Sequence, residues 1–136
     1  MLQTQQNQDN ILIVDDLPEN LTLLGRMLSQ KGYHVRTASN GQLALKMIDL
    51  HPPALILLDI VMPGMSGYEV CRQLKAHDTT RDIPVIFITN LTDAEDERQG
   101  FEVGGGDYIT KPFQIEEVLA RIATHLPLPK RRQEPS

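Results

Sequence analysis

Four polar positions stand directly behind short aliphatic runs in this chain. Asp15-Asp16 follow Ile11 to Val14, Asp59 follows Ala54 to Leu58, Thr89 follows Val85 to Ile88, and Lys111 comes just after Asp107 to Ile109. Taken singly, each has a plain structural explanation. Asp16 could cap a helix opened by Pro18, Asp59 could brace the loop through Met62-Pro63-Gly64, Thr89 could fill a strand, and Lys111 could sit on the surface. Brought together they do more. Three carboxylates in one cleft repel unless a cation neutralises them. Hard oxygen donors without nearby His or Cys select Mg²⁺, which keeps open positions for water and phosphate. A carboxylate can then attack phosphorus and form an aspartyl-phosphate. A lysine ammonium and a hydroxyl can hold the transferred oxygens. Asp59, Lys111 and Thr89 supply that set.

These residues can meet only if the runs before them are neighbouring strands. The three strongest runs are too short for helices and unbroken by polar residues, which is how strands buried on both faces of a parallel sheet read. His34 to Ala38 alternates polar and apolar residues, as an edge strand does, and Asp107 to Ile109 is a short strand for the other edge. Helical patterns lie between them. Pro18 opens one carrying Leu21, Leu24 and Leu28, which ends at Lys31-Gly32. A second runs from about Gly41 to Leu50 and stops before Pro52. A third starts near Ser66 with Val70, Cys71 and Leu74 inward, and the fifth, from Gln114, carries Ile115, Val118, Leu119, Ile122 and Leu126. The fourth differs: Thr92 and Glu95 resemble a capping box, yet Ala94 is the only apolar residue from Asp93 to Gly100. It should be the least firmly held. Strand and helix alternate five times, which demands an α/β sandwich with right-handed crossovers. Ligands bind at the carboxyl ends of the strands in such sheets, where all four polar positions fall.

The 136 residues have room for one domain, read here as residues 10–126, with 1–9 a disordered lead and 127–136 a Pro-rich basic tail or the start of a linker. A net charge of -5 argues against a nucleic-acid surface, and the one basic cluster, Lys130-Arg131-Arg132, reads as a solvated end. No apolar run is long enough to span a bilayer, and the Gln-rich Met1 to Asn10 segment is no signal peptide, so a cytoplasmic protein is expected. The single cysteine, Cys71, excludes an internal disulfide or a cysteine cage and reads as core. His34, His51, His77 and His125 share no ligand spacing. Tyr68 and Phe101 read as packing residues, and Phe113 as a plug near the fifth helix.

Four segments carry a resemblance to a known family: ILIVDD at 11–16, LILLDIVMPGMSG at 55–67, VIFIT at 85–89 and DYITKPF at 107–113. Over nearly its whole length the chain resembles the receiver domain of bacterial two-component response regulators, with 44 residues from Asp15 to Asp59, 30 on to Thr89 and 22 on to Lys111. That resemblance, and not the residue pattern, implies a doubly wound (βα)5 flavodoxin-like sandwich with a parallel sheet in the order 2-1-3-4-5. It implies that Asp59 is the phosphoacceptor, supplied from a phosphohistidine on a histidine kinase or histidine phosphotransfer protein. It makes Asp16 a direct Mg²⁺ ligand and Asp15 a ligand largely through water, with Asp59 and the backbone carbonyl of Val61 completing the protein set. Thr89 and Tyr108 become the switch pair, the hydroxyl moving toward the phosphoryl group and the ring turning inward behind it. Lys111 pairs with the phosphoryl oxygens, and the Lys111-Pro112 bond is cis. The same resemblance puts the changed surface on the fourth helix, fifth strand and fifth helix, facing a downstream protein whose identity the sequence does not give.

Departures from the family pattern are Asn90, where a small residue is usual, and Gly104-Gly105-Gly106 before the fifth strand. Two rival readings fit the sequence less well. An aspartate-dependent phosphohydrolase needs an acid two residues beyond its nucleophile, where this chain has Val61, and a cap for which there is no room. A receiver that is never phosphorylated and only binds partners is opposed by the intact acid, hydroxyl and lysine set. Winged-helix members dimerise through opposite charges on the fourth helix, fifth strand and fifth helix. Asp107 and Arg121 fit that pattern but Glu97 and Glu117 do not, which leaves a monomer or a different phosphorylation-dependent dimer.

Overall fold

The computed structural model describes residues 10–126, so the readings of residues 1–9 and 127–136 as lead and tail lie outside the described residues. Five strands, β1 (Asn10–Val14), β2 (His34–Ala38), β3 (Leu55–Leu58), β4 (Val85–Thr89) and β5 (Asp107–Thr110), pair in parallel in the order β2-β1-β3-β4-β5. Five helices alternate with them: α1 (Pro18–Gln30), α2 (Gly41–Leu50), α3 (Gly67–Lys75), α4 (Ala94–Glu102) and α5 (Ile115–His125). The expected sandwich and strand order are therefore both present.

Alternate residues of each unbroken run face opposite sides of the sheet, as the pleat requires. Leu12, Val14, Ile56, Leu58, Val85 and Phe87 pack with α2 and α3 through Ala44, Ile48, Val70, Cys71 and Leu74. Ile11, Ile13, Leu55, Leu57, Ile86, Ile88 and Ile109 pack on the other side with Leu24, Leu28, Val118 and Ile122 of α1 and α5. Because both faces are covered, the runs show no polar alternation. Cys71 is fully buried and its thiol is pushed up to about 11 by burial, as befits a core residue without reactivity. Phe113 packs partly buried against the α1 and α5 side, as expected.

Helix starts follow local chemistry. Asn40 and Ser66 cap α2 and α3, accepting from the amides of Leu43 and Glu69. Pro18 opens α1 without a side-chain cap, which removes the capping explanation for Asp16. The capping box expected at Thr92 and Glu95 is absent. The cap position belongs to Asp93, which makes no side-chain cap bond, so Thr92 lies one residue too early for that pairing. Phe101 is also corrected: it is 46% exposed, because Gly100 and not Phe101 faces the sheet. Of the glycine triple, Gly104 takes φ of 109°, a left-handed turn that needs no Cβ.

Candidate phosphoryl-acceptor site

Strand register assembles the site. Val14 is paired with Leu58, so the next residues of adjacent strands, Asp15 and Asp59, stand side by side. Leu58 is paired with Phe87, and Thr89 with Thr110, which brings Thr89 and then Lys111 to the same carboxyl edge. Backbone bonds hold the edge: the Asp59 amide donates to the Val14 carbonyl at 2.9 Å, and the Lys111 amide to the Thr89 carbonyl at 2.8 Å. The Lys111-Pro112 bond is cis, as the resemblance implied.

Asp59 is 6% exposed and Asp15 3%. One oxygen of Asp59 accepts from the Ile60 amide at 2.8 Å, and the other lies 3.6 Å from the Lys111 ammonium. Burial pushes the Asp59 carboxyl up, and Asp15 pushes it further, while Lys111, the Ile60 amide and the Thr89 hydroxyl pull it back. Asp15 accepts from the Leu17 amide at 3.0 Å and from Lys111 Nζ at 3.0 Å. The loop after Asp59 is folded tightly back. The Gly67 amide donates to the Ile60 carbonyl at 2.9 Å, and a Cβ on Gly67 would lie 2.2 Å from the carbonyl oxygen of Asp59. Only glycine fits there.

One carboxylate oxygen from each of Asp15, Asp16 and Asp59 lies within 4.8 Å of the others. Among the described residues this is the one cluster of three or more such side chains that could hold a metal, and none of the four histidines joins it. Three hard oxygen donors with no nitrogen or sulfur suit a divalent cation that retains water ligands.

The remaining expected residues are placed as follows. Thr89 is fully buried, its hydroxyl accepting weakly from the Leu91 amide at 3.4 Å. Tyr108 is 7% exposed with its hydroxyl donating to the Leu91 carbonyl at 3.1 Å, so the ring already occupies an inward position. Burial raises its phenol well above the usual range. Val61, two residues beyond Asp59, is exposed. Asn90 is exposed too and, with Lys111, Leu17, Leu23 and Phe113, lines a cleft of about 480 Å³ beside the site. A separate hollow of about 410 Å³ lies between α2 and α3, lined by Leu45, Ile48, Leu74 and Thr80, and contains none of the site residues.

Two residues were missed from the sequence. Asn20 donates to the second oxygen of Asp15 at 3.2 Å, and its place on the first turn of α1 was the available signal. Tyr68, expected only to pack, also donates its hydroxyl to the Asp96 carbonyl at 2.8 Å, for which the sequence held no signal.

Comparison with known proteins agrees with this geometry. The family model described as "Response regulator receiver domain" matches residues 11–123. A Vibrio cholerae protein named "Probable cyclic di-GMP phosphodiesterase" is 47% identical over 120 residues, covering 88% of this chain and 27% of that protein. Response regulator PleD of Caulobacter vibrioides is 46% identical over 112 residues, covering 82% of this chain and 25% of its own length. The chain thus spans about a quarter of the length of both relatives. The signal receiver domain of a histidine kinase from Syntrophus aciditrophicus superposes with a TM-score of 0.82 at 36% identity, covering 94% of this chain and 97% of that one. No helix among the described residues is long and apolar enough to cross a membrane.

Proposed function

The chain belongs to the response regulator receiver family, and we propose that within it Asp59 is the residue that takes the phosphoryl group. The observation carrying this assignment is the ring around Asp59: a buried carboxylate with Lys111 at 3.6 Å, Thr89 beside it, and Asp15 and Asp16 within metal-binding reach. As a phosphoacceptor receiver the domain is a signalling module. It turns over no separate substrate, and its chemistry is confined to its own phosphorylation and dephosphorylation.

In the proposed step an Asp59 carboxylate oxygen attacks phosphorus on a phosphohistidine. A P–O bond forms, the P–N bond breaks, and the imidazole leaves with the electron pair. The Lys111 ammonium takes one phosphoryl oxygen, and the Thr89 hydroxyl donates to another. Asp15, Asp16, Asp59 and the Val61 carbonyl are the ligands proposed for Mg²⁺. Bound there, the ion supplies positive charge that offsets the carboxylates and the incoming phosphoryl oxygens. Asn20 and the Leu17 amide keep Asp15 oriented.

Histidine kinases are the partner class this family implies, acting directly or through a histidine phosphotransfer protein, and such a partner places the domain in the cytoplasm. The output is proposed to run through Thr89 and Tyr108 to the face formed by α4, β5 and α5. Arg121 on that face is already paired within the chain, 3.3 Å from Asp107 and 3.7 Å from Glu117. That pairing favours a monomer, or a dimer built on other contacts.

The acceptor assignment is tested by intact-mass measurement with Mg²⁺ and acetyl phosphate. The wild type gains one phosphoryl group and Asp59→Asn gains none. Equal labelling of the two would remove Asp59 from its role.

A further inference from the structure

Beneath α4 lies a row of three aromatic rings. Tyr68, on the first turn of α3, meets Phe87 edge-on with centroids 5.8 Å apart and planes at 66°. Phe87 in turn lies 6.2 Å from Tyr108. Helix α4 rests on this row through Gly100, its only buried residue, where a Cβ would come within 3.2 Å of both Phe87 and Tyr108. With so little apolar burial, the start of α4 depends on polar ties. Two of them come from the row itself: Tyr68 donates to the Asp96 carbonyl at 2.8 Å, and Tyr108 to the Leu91 carbonyl at 3.1 Å. The two hydroxyls also interact with each other, and burial raises both phenols, so both remain protonated donors at neutral pH.

Tyr68 is attached to the acceptor as well. It follows Gly67, which is pressed against the Asp59 backbone and bonded to the Ile60 carbonyl at 2.9 Å. A covalent step therefore links the acceptor loop to the one phenol that grips the first turn of α4.

We propose that Tyr68 is a positioning residue of the switch, whose hydroxyl ties α4 to the acceptor loop and so confines Tyr108 to its inward place. Tension at the acceptor loop reaches α4 by this tie without passing through Thr89. If α4 lifts, the Leu91 carbonyl moves with it and Tyr108 loses its partner. The inference rests on the reading of Tyr108 as a switch residue.

The test exploits the three tyrosines of the chain, Tyr33, Tyr68 and Tyr108. Fluorotyrosine-labelled protein gives one fluorine resonance from each, assigned by single Tyr→Phe variants. Tyr68→Phe keeps the ring on Phe87 and removes only the hydroxyl. In the unphosphorylated variant, the outward population of Tyr108 is expected to rise about fivefold, the effect of one neutral hydrogen bond. Amide exchange across 94–102 should quicken by a similar factor while β1 and β3 stay unchanged. Beryllofluoride with Mg²⁺ should restore the inward resonance. An unmoved Tyr108 resonance, or exchange quickened equally in β1 and β3, overturns the proposal. Labelling by acetyl phosphate in the same variant reports separately on Asp59, so failure of the tie and failure of the acceptor reading are distinguishable. Tyr33→Phe serves as the control that should leave Tyr108 and α4 untouched.

Discussion

The edge formed by β1 and β3 and the helix α4 are held by opposite means. Asp15 and Asp59 extend two adjacent strands whose residues Ile11 to Val14 and Leu55 to Leu58 are all at most 1% exposed. The strands are covered by α1, which buries Leu24 and Leu28, and by α2, which buries Ala44 and Ile48. Helix α4 buries one glycine, and its single arginine, Arg98, pairs with Glu95 and Glu102 on its own exposed surface. Such exposed pairs contribute little to stability. Acceptor chemistry needs fixed geometry, and a signal needs a part that moves at small cost. On the proposed function, the first sits where packing is densest and the second where it is thinnest.

The largest effect should come from breaking the rigid side at its charges. Asp16→Ala removes one of three metal-directed oxygens from the surface of the cluster. It is expected to abolish Mg²⁺-dependent labelling of Asp59 while circular dichroism stays that of a folded protein. Normal labelling would show that the cation binds elsewhere.

Next come the hydrophobic supports, compared directly. Leu28→Ala leaves a cavity under β1 and should lower unfolding free energy by about 2–5 kcal/mol in denaturant titration. Phe101→Ala on α4 should change it by less than about 0.5 kcal/mol, as an exposed position does. Similar costs for the two would erase the contrast.

The acceptor itself should be a point of instability in the metal-free protein. Burial raises the folded-state carboxyl of Asp59 above its unfolded value. The stabilisation linked to its protonation is full below the unfolded value and lost as pH rises through the folded one. At neutral pH, then, Asp59→Asn should melt at a higher temperature than the wild type without metal. Acidification should narrow that gap, and Mg²⁺ should narrow it from the other side by stabilising the wild type. A variant no more stable at pH 7 would contradict the burial argument.

Legibility in the sequence followed the same division. The unbroken aliphatic runs gave the strands because each is buried on both faces, and the residues after them gave the site. The end of the Gly41–Leu50 helix was readable from the proline that follows it. Strand order was not readable from pattern, since a buried central strand looks the same wherever it sits; it came from resemblance. Around α4 the reading failed twice, at the Thr92 cap and at Phe101. A helix with almost no apolar stripe carries no periodicity to fix its phase or its buried face. Asn20 was missed although its place on the first turn of α1 was visible, and Tyr68 because its partner lies 28 residues away and only the fold brings it close.

The smallest expected effect concerns how long the phosphorylated state lasts. Val61 is exposed two residues past Asp59 and Leu91 is partly buried two residues past Thr89, and neither side chain can hydrogen-bond an attacking water. Val61→Asn combined with Leu91→Glu should speed loss of the phosphoryl group a few-fold, followed by mass over time. In the wild type, hydrogen exchange on phosphorylation should change most at residues 90–110. Equal decay would remove the two residues from control of lifetime, and exchange changes confined to α2 would move the output face.

Both ends of the described chain lie at the amino-terminal edge of the sheet, away from Asp59, one at β1 and the other beside β5. Asn10 begins β1 and accepts from the Ala54 amide, while His125 ends α5 with its ring against Gly106, just before β5. A strand of this length separates that edge from the acceptor by roughly 16 Å. Another domain joined at either end would therefore leave the mouth of the acceptor open to an incoming donor. A domain joined beyond Leu126 would also be anchored beside β5 and α5, near their outer face at high effective concentration. Fusion could then turn even a weak contact with that face into a responsive one, with no need for tight binding in the separated parts.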